Sequence, residues 1–195
     1  MNVETSLAGL RREAPANLGD NVDLATGLAD GYRVYESPVG DVAVAFNPLG
    51  VSMVRLAEED FESEFLGQNG RRVIEATPPR GWDGLIGKAI ELGRPGSLPL
   101  DLRLVSPFRR QILLVATTIP RGQVRPYGWL AREAGKARAA RAVGTAMAQN
   151  PVPLIVPCHR VVRSDGTIGA YSLGGQHNKR ILLIAEGADP AMLRF

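Results

Sequence analysis

Apolar and polar positions change rhythm along this chain. Residues 1–30 carry no sustained period and read as an irregular leader, a mobile tail. From Tyr32, YRVYESPVGDVAVAFNPLGVSMVRLA gives three short β-rich runs. The stretches SPVGD (37–41) and NPLG (47–50) carry the turn formers that split them, which predicts an antiparallel meander. EEDFESEFLGQNG predicts a short helix ending near Gly67, and RRVIEATP a further strand. WDGLIGKAIELG places Leu85, Ile86, Ile90 and Leu92 on one helical face, with Gly93 as the stop. LPLDLRLVS reads as an extended link.

From Ser106 the period becomes helical. Ser106 is a good N-cap with Pro107 behind it, and Phe108, Ile112, Val115 and Ala116 form the apolar stripe of a helix that Pro120 ends. YGWLAREAG predicts a second short helix stopped by Gly135. Lys136 to Gln149 predicts a third, with Ala139, Val143, Ala146 and Met147 inward and Arg138 and Arg141 on another face. Two short helices around a glycine-containing turn, the second bearing arginines, suggest a helix-turn-helix. Next, Pro151, Pro153 and Pro157 forbid a helix before Cys158. HRVVRSDGTIGAY reads as two strands around a Ser164–Gly166 turn. HNKRILLIAEG closes as a helix with Ile181, Leu182 and Ala185 inward and Glu186 near its end.

Composition narrows the function. The 195 residues are 45% hydrophobic and 22% charged, as in an ordinary globular protein, and no run is long and apolar enough for a membrane span. The N-terminus lacks a secretory pattern and the chain has one cysteine, so a reduced, cytoplasmic setting is expected. One Cys and two His fit no zinc spacing, so no metal and no cofactor are expected. The net charge of +3 hides an asymmetry. Residues 1–100 hold 9 basic and 15 acidic side chains; residues 101–195 hold 14 and 5. A basic half of this kind suits a polyanion, and an acidic half joined to it suggests two domains.

The one cysteine, Cys158, stands beside His159, one of only two histidines, in NPVPLIVPCHRVV. A free thiol has a pKa of roughly 8.5 and needs a base, a cation or a helix N-terminus to become a good nucleophile. In an extended backbone, adjacent side chains point to opposite faces, so His159 would reach Cys158 through a water or from a turn.

PCHRVV, with ARAVGTAMAQNPVP before it and GAYSLGG…KRILLIAEGA after it, closely resembles the O6-alkylguanine-DNA alkyltransferases from about Ser106 to Ala188. The resemblance implies an α+β fold. Its parts are an N-terminal antiparallel β-sheet with helices, ribonuclease H-like, at 31–103, and a helical, winged-helix-like domain with the helix-turn-helix and alkyl acceptor at 104–195. It also implies that Cys158 accepts the alkyl group from a flipped guanine, with a substrate range extending to O4-alkylthymine. His159 resembles the base that takes the thiol proton through a water, and Glu186 the carboxylate that orients it. Tyr127 resembles the proton donor to the leaving purine. Arg141 resembles the side chain that fills the vacated stack, and Arg138, Ala140 and Lys136 the DNA-facing residues around it. Met147, Val161, Tyr171, Ser172, Asn150 and Arg160 resemble the substrate pocket, with Asn150 as the hinge after the recognition helix. The implied partner is double-stranded DNA, met in the minor groove by a protein monomeric in solution; cooperativity on DNA stays open.

The sequence departs from many relatives at Phe108-Arg109, where they carry Phe-Gln, and at Leu113, where a Trp would fall. His177 and Trp129 receive no role. Two other readings remain: a cysteine hydrolase using Cys158 and His159, and a DNA-binding regulator with Cys158 as a redox sensor.

Overall fold

The computed structural model describes residues 17–58, 60–189 and Leu193. Its class is mixed α+β. The meander forms as expected: β1 (Asp30–Tyr35), β2 (Val42–Asn47) and β3 (Gly50–Leu56) pair antiparallel in turn. β4 (Val73–Glu75) joins β1 in parallel, giving the order β3-β2-β1-β4. The central strand β2 is buried throughout. Its period of two sends Val42, Val44 and Phe46 to the main core, and Ala43 and Ala45 to a smaller cluster with Met53, Phe61, Phe65 and Val73. Burying a side chain as large as Phe65 contributes about 2–3 kcal/mol.

The leader differs from expectation. α1 (Leu18–Thr26) is a helix ended by left-handed Gly27. It buries no residue of its own; Arg72, bonded to Asp20 and Asp23, ties it to the start of β4. That partner lies about fifty positions away, so no local pattern announces the helix. Residues 1–16 lie outside the described residues.

α2 (Phe61–Asn69) runs through Gly67 and stops at left-handed Gly70. Phe61 and Phe65, one turn apart, anchor its buried face, so the glycine on the exposed side is tolerated. α3 (Trp82–Leu92) ends at Gly93 as expected, with Ile86, Ala89 and Ile90 buried.

In the second half, α4 (Pro107–Ala116) starts as read: Ser106 Oγ accepts from the Arg109 amide and Pro107 occupies the first turn. It stops at Ala116, short of Pro120, and Leu113 joins its buried face. α5 (Tyr127–Glu133) is followed by left-handed Gly135. α6 (Ala140–Ala148) begins four residues later than expected, because Lys136–Ala139 closes a turn of its own, with the Ala139 amide on the Lys136 carbonyl. β5 (Arg125–Pro126) and β6 (Val161–Val162) form a two-residue parallel pair. The expected hairpin is therefore half realised. The Ser164–Gly166 turn closes through the Arg163 and Gly166 amides, but no strand returns along β6. α7 (Gly175–Ala185) buries Lys179, Leu182 and Leu183; Ile181 is only half-buried and Ala185 is exposed.

The main core runs without a break from Val42 and Ile86 through Ile112 and Val143 to Leu182. Backbone bonds reinforce it. The Val54 amide donates to Pro151 O (2.8 Å), and Val51 bonds Pro99 and Asp101.

Candidate active site

The path into Cys158 is built against local preference. Leu154 sits at φ 69°, the only described non-glycine residue with positive φ. That conformation costs an L-residue roughly 1–2 kcal/mol. It persists because the segment is held elsewhere. Leu154 is buried, and Pro151 O takes bonds from Val54 N and Arg55 Nη1 of β3. The Asn150 side chain, itself buried, crosses the loop. Its Oδ1 accepts from Val152 N (3.0 Å), while Nδ2 donates to Val156 O (2.9 Å) and to Cys158 Sγ (3.2 Å). The exit of α6 is thereby fastened to the thiol.

Cys158 opens a single 3-10 turn, Cys158–Arg160, not an extended run. It is 3% exposed, and burial pushes its pKa up, offset in part by the Asn150 amide and the charge of Lys179. His159 is buried beside it, and burial pushes its pKa down, so the imidazole is neutral at pH 7. Its Nε2 lies 3.0 Å from Glu186 Oε1. Burial works against the Glu186 carboxylate, yet hydrogen bonds from Arg160 and His159 outweigh it and bring its pKa down to about 2. An ionised carboxylate can only accept, so Nε2 carries the proton and Nδ1 the lone pair. Nδ1 has no partner among the described residues, which leaves it available as a base.

Arg160, expected at the substrate pocket, is buried, 1% exposed. Its guanidinium is buried against the carboxylate, with Nε on Glu186 Oε2 and Nη2 on Oε1, both at 2.7 Å. Nη1 reaches Ile119 O and Nη2 reaches Leu92 O, each at 2.8 Å. A planar fork suits this bidentate grip.

The remaining expected residues divide by exposure. Tyr171 is buried; its ring packs edge-on to His159 at 6.2 Å between centroids, and its hydroxyl has no partner among the described residues. Met147 and Val161 are buried in the same core, and Ser172 is exposed. Tyr127, at the start of α5, is half-buried. Burial and the nearby Cys158 raise its pKa, so it keeps its proton and can donate it. Its hydroxyl lies against Gly169, where a Cβ would come within 2.6 Å of the oxygen. Gly169 is thus needed for this close approach.

Lys179 was not foreseen. It is 1% exposed, donates to Val161 O (2.6 Å) and interacts electrostatically with Cys158; burial lowers its pKa to about 8. The available signal was its place on the apolar stripe of α7, three and four residues before Leu182 and Leu183.

Lys136, Arg138 and Arg141 are exposed and Ala140 half-exposed, along the turn and first turn of α6. Arg138 belongs to the turn, not the helix. Arg109, the departure on α4, donates to the Gln149 carbonyl at the end of α6 (2.5 Å), where a cation complements the helix dipole.

Residues 107–188 match the family model described as the DNA-binding domain of 6-O-methylguanine DNA methyltransferase. A methylated-DNA–protein-cysteine methyltransferase of Mycolicibacterium paratuberculosis is 32% identical over 164 residues, covering 83% of this chain and 96% of that protein. The Rattus norvegicus protein of the same name is 53% identical over 81 residues, 41% of this chain and 39% of its own. Among solved structures, Mycobacterium tuberculosis OGT in complex with DNA superposes with a TM-score of 0.64 at 30% identity, covering 84% of this chain and 94% of its own. O6-methylguanine-DNA methyltransferase from Pyrococcus kodakaraensis gives 0.62 at 30%, covering 82% and 99%.

Proposed function

This chain belongs to the methylated-DNA–protein-cysteine methyltransferase family, and we infer that it repairs DNA directly, moving the alkyl group of O6-alkylguanine onto Cys158 in a single turnover. One observation carries the reading: the chain's only thiol is next in sequence to a buried, neutral histidine whose Nε2 is held by an ionised carboxylate.

That geometry supports the following reaction. His159 Nδ1 takes the thiol proton through a water, and Glu186 stabilises the imidazolium that forms. The Asn150 amide and Lys179 favour the thiolate. Cys158 Sγ attacks the alkyl carbon, an S–C bond forms, the C–O6 bond breaks, and its electron pair leaves on the purine. Tyr127 gives the purine its proton. The thioether formed has a strong C–S bond that neither water nor a thiol cleaves at neutral pH, so each molecule acts once.

For access we propose that the helix-turn-helix meets double-stranded DNA in the minor groove and that the lesion is flipped out. Arg141, exposed on α6, fills the vacated stack; Arg138, Ala140 and Lys136 face the backbone. Met147, Val161, Tyr171 and Ser172 receive the base, and O4-alkylthymine fits the same attack. We read the N-terminal half, 31–103, as a ribonuclease H-like domain and 104–195 as a winged-helix-like one, in a protein that is monomeric in solution. One reactive thiol suits a reducing compartment, which supports a cytoplasmic setting.

Exposure argues against the redox-regulator reading: sensor thiols are accessible and acidic, whereas Cys158 is 3% exposed with a raised pKa. The test is stoichiometric. Incubation with excess O6-methylguanine DNA should plateau at one methyl per protein, found by mass spectrometry on the Cys158 peptide. Continued turnover would indicate a hydrolase, and no transfer a regulator.

A further inference from the structure

No side chain of the N-terminal half was expected in the alkyl-transfer site, yet the end of α3 touches it. The Leu92 carbonyl accepts from Arg160 Nη2, the same nitrogen that grips Glu186 Oε1. The next residue is Gly93, buried at φ 59°. A Cβ there would overlap Arg160 Nη2 and lie 2.9 Å from Glu186 Oε1. Arg121 makes a parallel tie, bonding Glu91 O at the end of α3 and Ala185 O (3.0 Å) at the end of α7. Two helix C-termini, each carrying partial negative charge, therefore converge beside the Glu186 carboxylate, and two arginines fill the space between them.

We propose that the C-terminal end of α3, through the Leu92 carbonyl and the side-chain-free Gly93, is a positioning element of the alkyl-transfer site: it fixes Arg160, and Arg160 fixes both oxygens of Glu186. This rests on the His159–Glu186 relay proposed above. Arg160 has four bonds to three groups, two of them backbone carbonyls 41 and 68 positions away. A guanidinium held at so many points cannot rotate, so the carboxylate presents Oε1 to His159 in one orientation. Any side chain at 93 breaks that lock. Arg160 must retreat, Glu186 turns with it, and His159 loses its orienting partner while Cys158 itself is untouched. Gly93 is then required twice, for its left-handed backbone and for the space that Arg160 occupies.

The two requirements separate experimentally. Gly70 has φ 68° and nothing within 4 Å of its added Cβ, so Gly70→Ala carries the backbone strain alone. Single-turnover transfer from methylated duplex would be followed against pH in the full-length protein for Gly93→Ala, Gly70→Ala, Glu186→Gln and the Gly93→Ala/Glu186→Gln double variant. Gly93→Ala should slow transfer about 10- to 100-fold at neutral pH, the scale of a misplaced general base, and move the rise in rate to higher pH. Gly70→Ala should keep the wild-type rate and profile. The double variant should match Glu186→Gln, since both changes disable one relay. Losses that multiply, or a Gly93→Ala profile that matches Gly70→Ala while Glu186→Gln is slow, would overturn the positioning role and leave the relay standing. A Glu186→Gln variant as fast as wild type would overturn the relay and this inference with it.

Discussion

Lys179→Met should make the protein more stable and a slower alkyl acceptor. The ammonium is 1% exposed and its hydrogen-bond partner is a neutral carbonyl, Val161 O, not a carboxylate. Burial brings its pKa from an ordinary 10.5 to about 8. At about 1.4 kcal/mol per unit, keeping Lys179 charged costs the folded protein roughly 3 kcal/mol. Methionine has similar length and no charge, but forfeits the bond to Val161 O, worth about 1 kcal/mol. The net gain at pH 7 is therefore about 2 kcal/mol. Below pH 8 lysine is charged in both folded and unfolded states, so the full cost applies. Between about pH 8 and 10.5 the folded protein has released a proton that the unfolded chain still holds, and wild-type stability from this site rises with pH. Urea unfolding of both proteins across pH 7–10.5 should show the advantage of Lys179→Met closing over that window. Its transfer rate at pH 7 should fall, because Lys179 helps to bring the thiol pKa down. A Lys179→Met protein that is less stable at pH 7, by an amount that does not change with pH, would refute this account.

Arg141→Ala should slow repair of duplex DNA far more than reaction with free O6-substituted guanine, while Arg138→Ala, in the turn, should weaken DNA binding and leave the rate at saturating DNA unchanged; single-turnover rates on both substrates check this. Gly169→Ala should displace the Tyr127 hydroxyl and slow transfer about 10- to 100-fold, read in the same assay. Glu186 stabilises the fold fully above its ordinary pKa of 4.5 and loses that contribution as pH falls toward about 2. Wild type should therefore lose roughly 3 kcal/mol more than Glu186→Gln between pH 5 and pH 2, measured by chemical denaturation.

What the sequence disclosed depended on how local its cause was. The Ser106–Pro107 start of α4 and the Gly93 stop of α3 are set within one turn, and both were readable. The meander was readable because β2 and β3 alternate or stay apolar between turn formers. α1 was not, because Arg72 holds it from another element. The paired strands β5 and β6 are two residues each, too short for any period to appear. In the site, Cys158, His159 and Glu186 were named from their motif, and the structure brings His159 and Glu186 into contact. The grip of Arg160 on Leu92 and Ile119 could not be read, because those partners lie 68 and 41 positions away and meet it only after folding. Lys179 escaped notice because a charge on an apolar stripe reads as an interruption.

The strained loop at Leu154 also bears on how the protein matures. Asn150 braces the loop from within, but the bonds that pin it to the rest of the protein come from Arg55, 96 positions before Pro151, and Leu92, 68 positions before Arg160. A ribosome releases the N-terminal half first, so the residues of β3 and α3 leave it before the reactive segment emerges. The early half is in that sense a template, and the segment is shaped on it as the last helix is made. Long-range closure of this kind is slow, which places competence for repair late in the life of a nascent chain. Refolding followed at once by far-ultraviolet circular dichroism and by capture of a single alkyl group should show the helices returning before the reactivity.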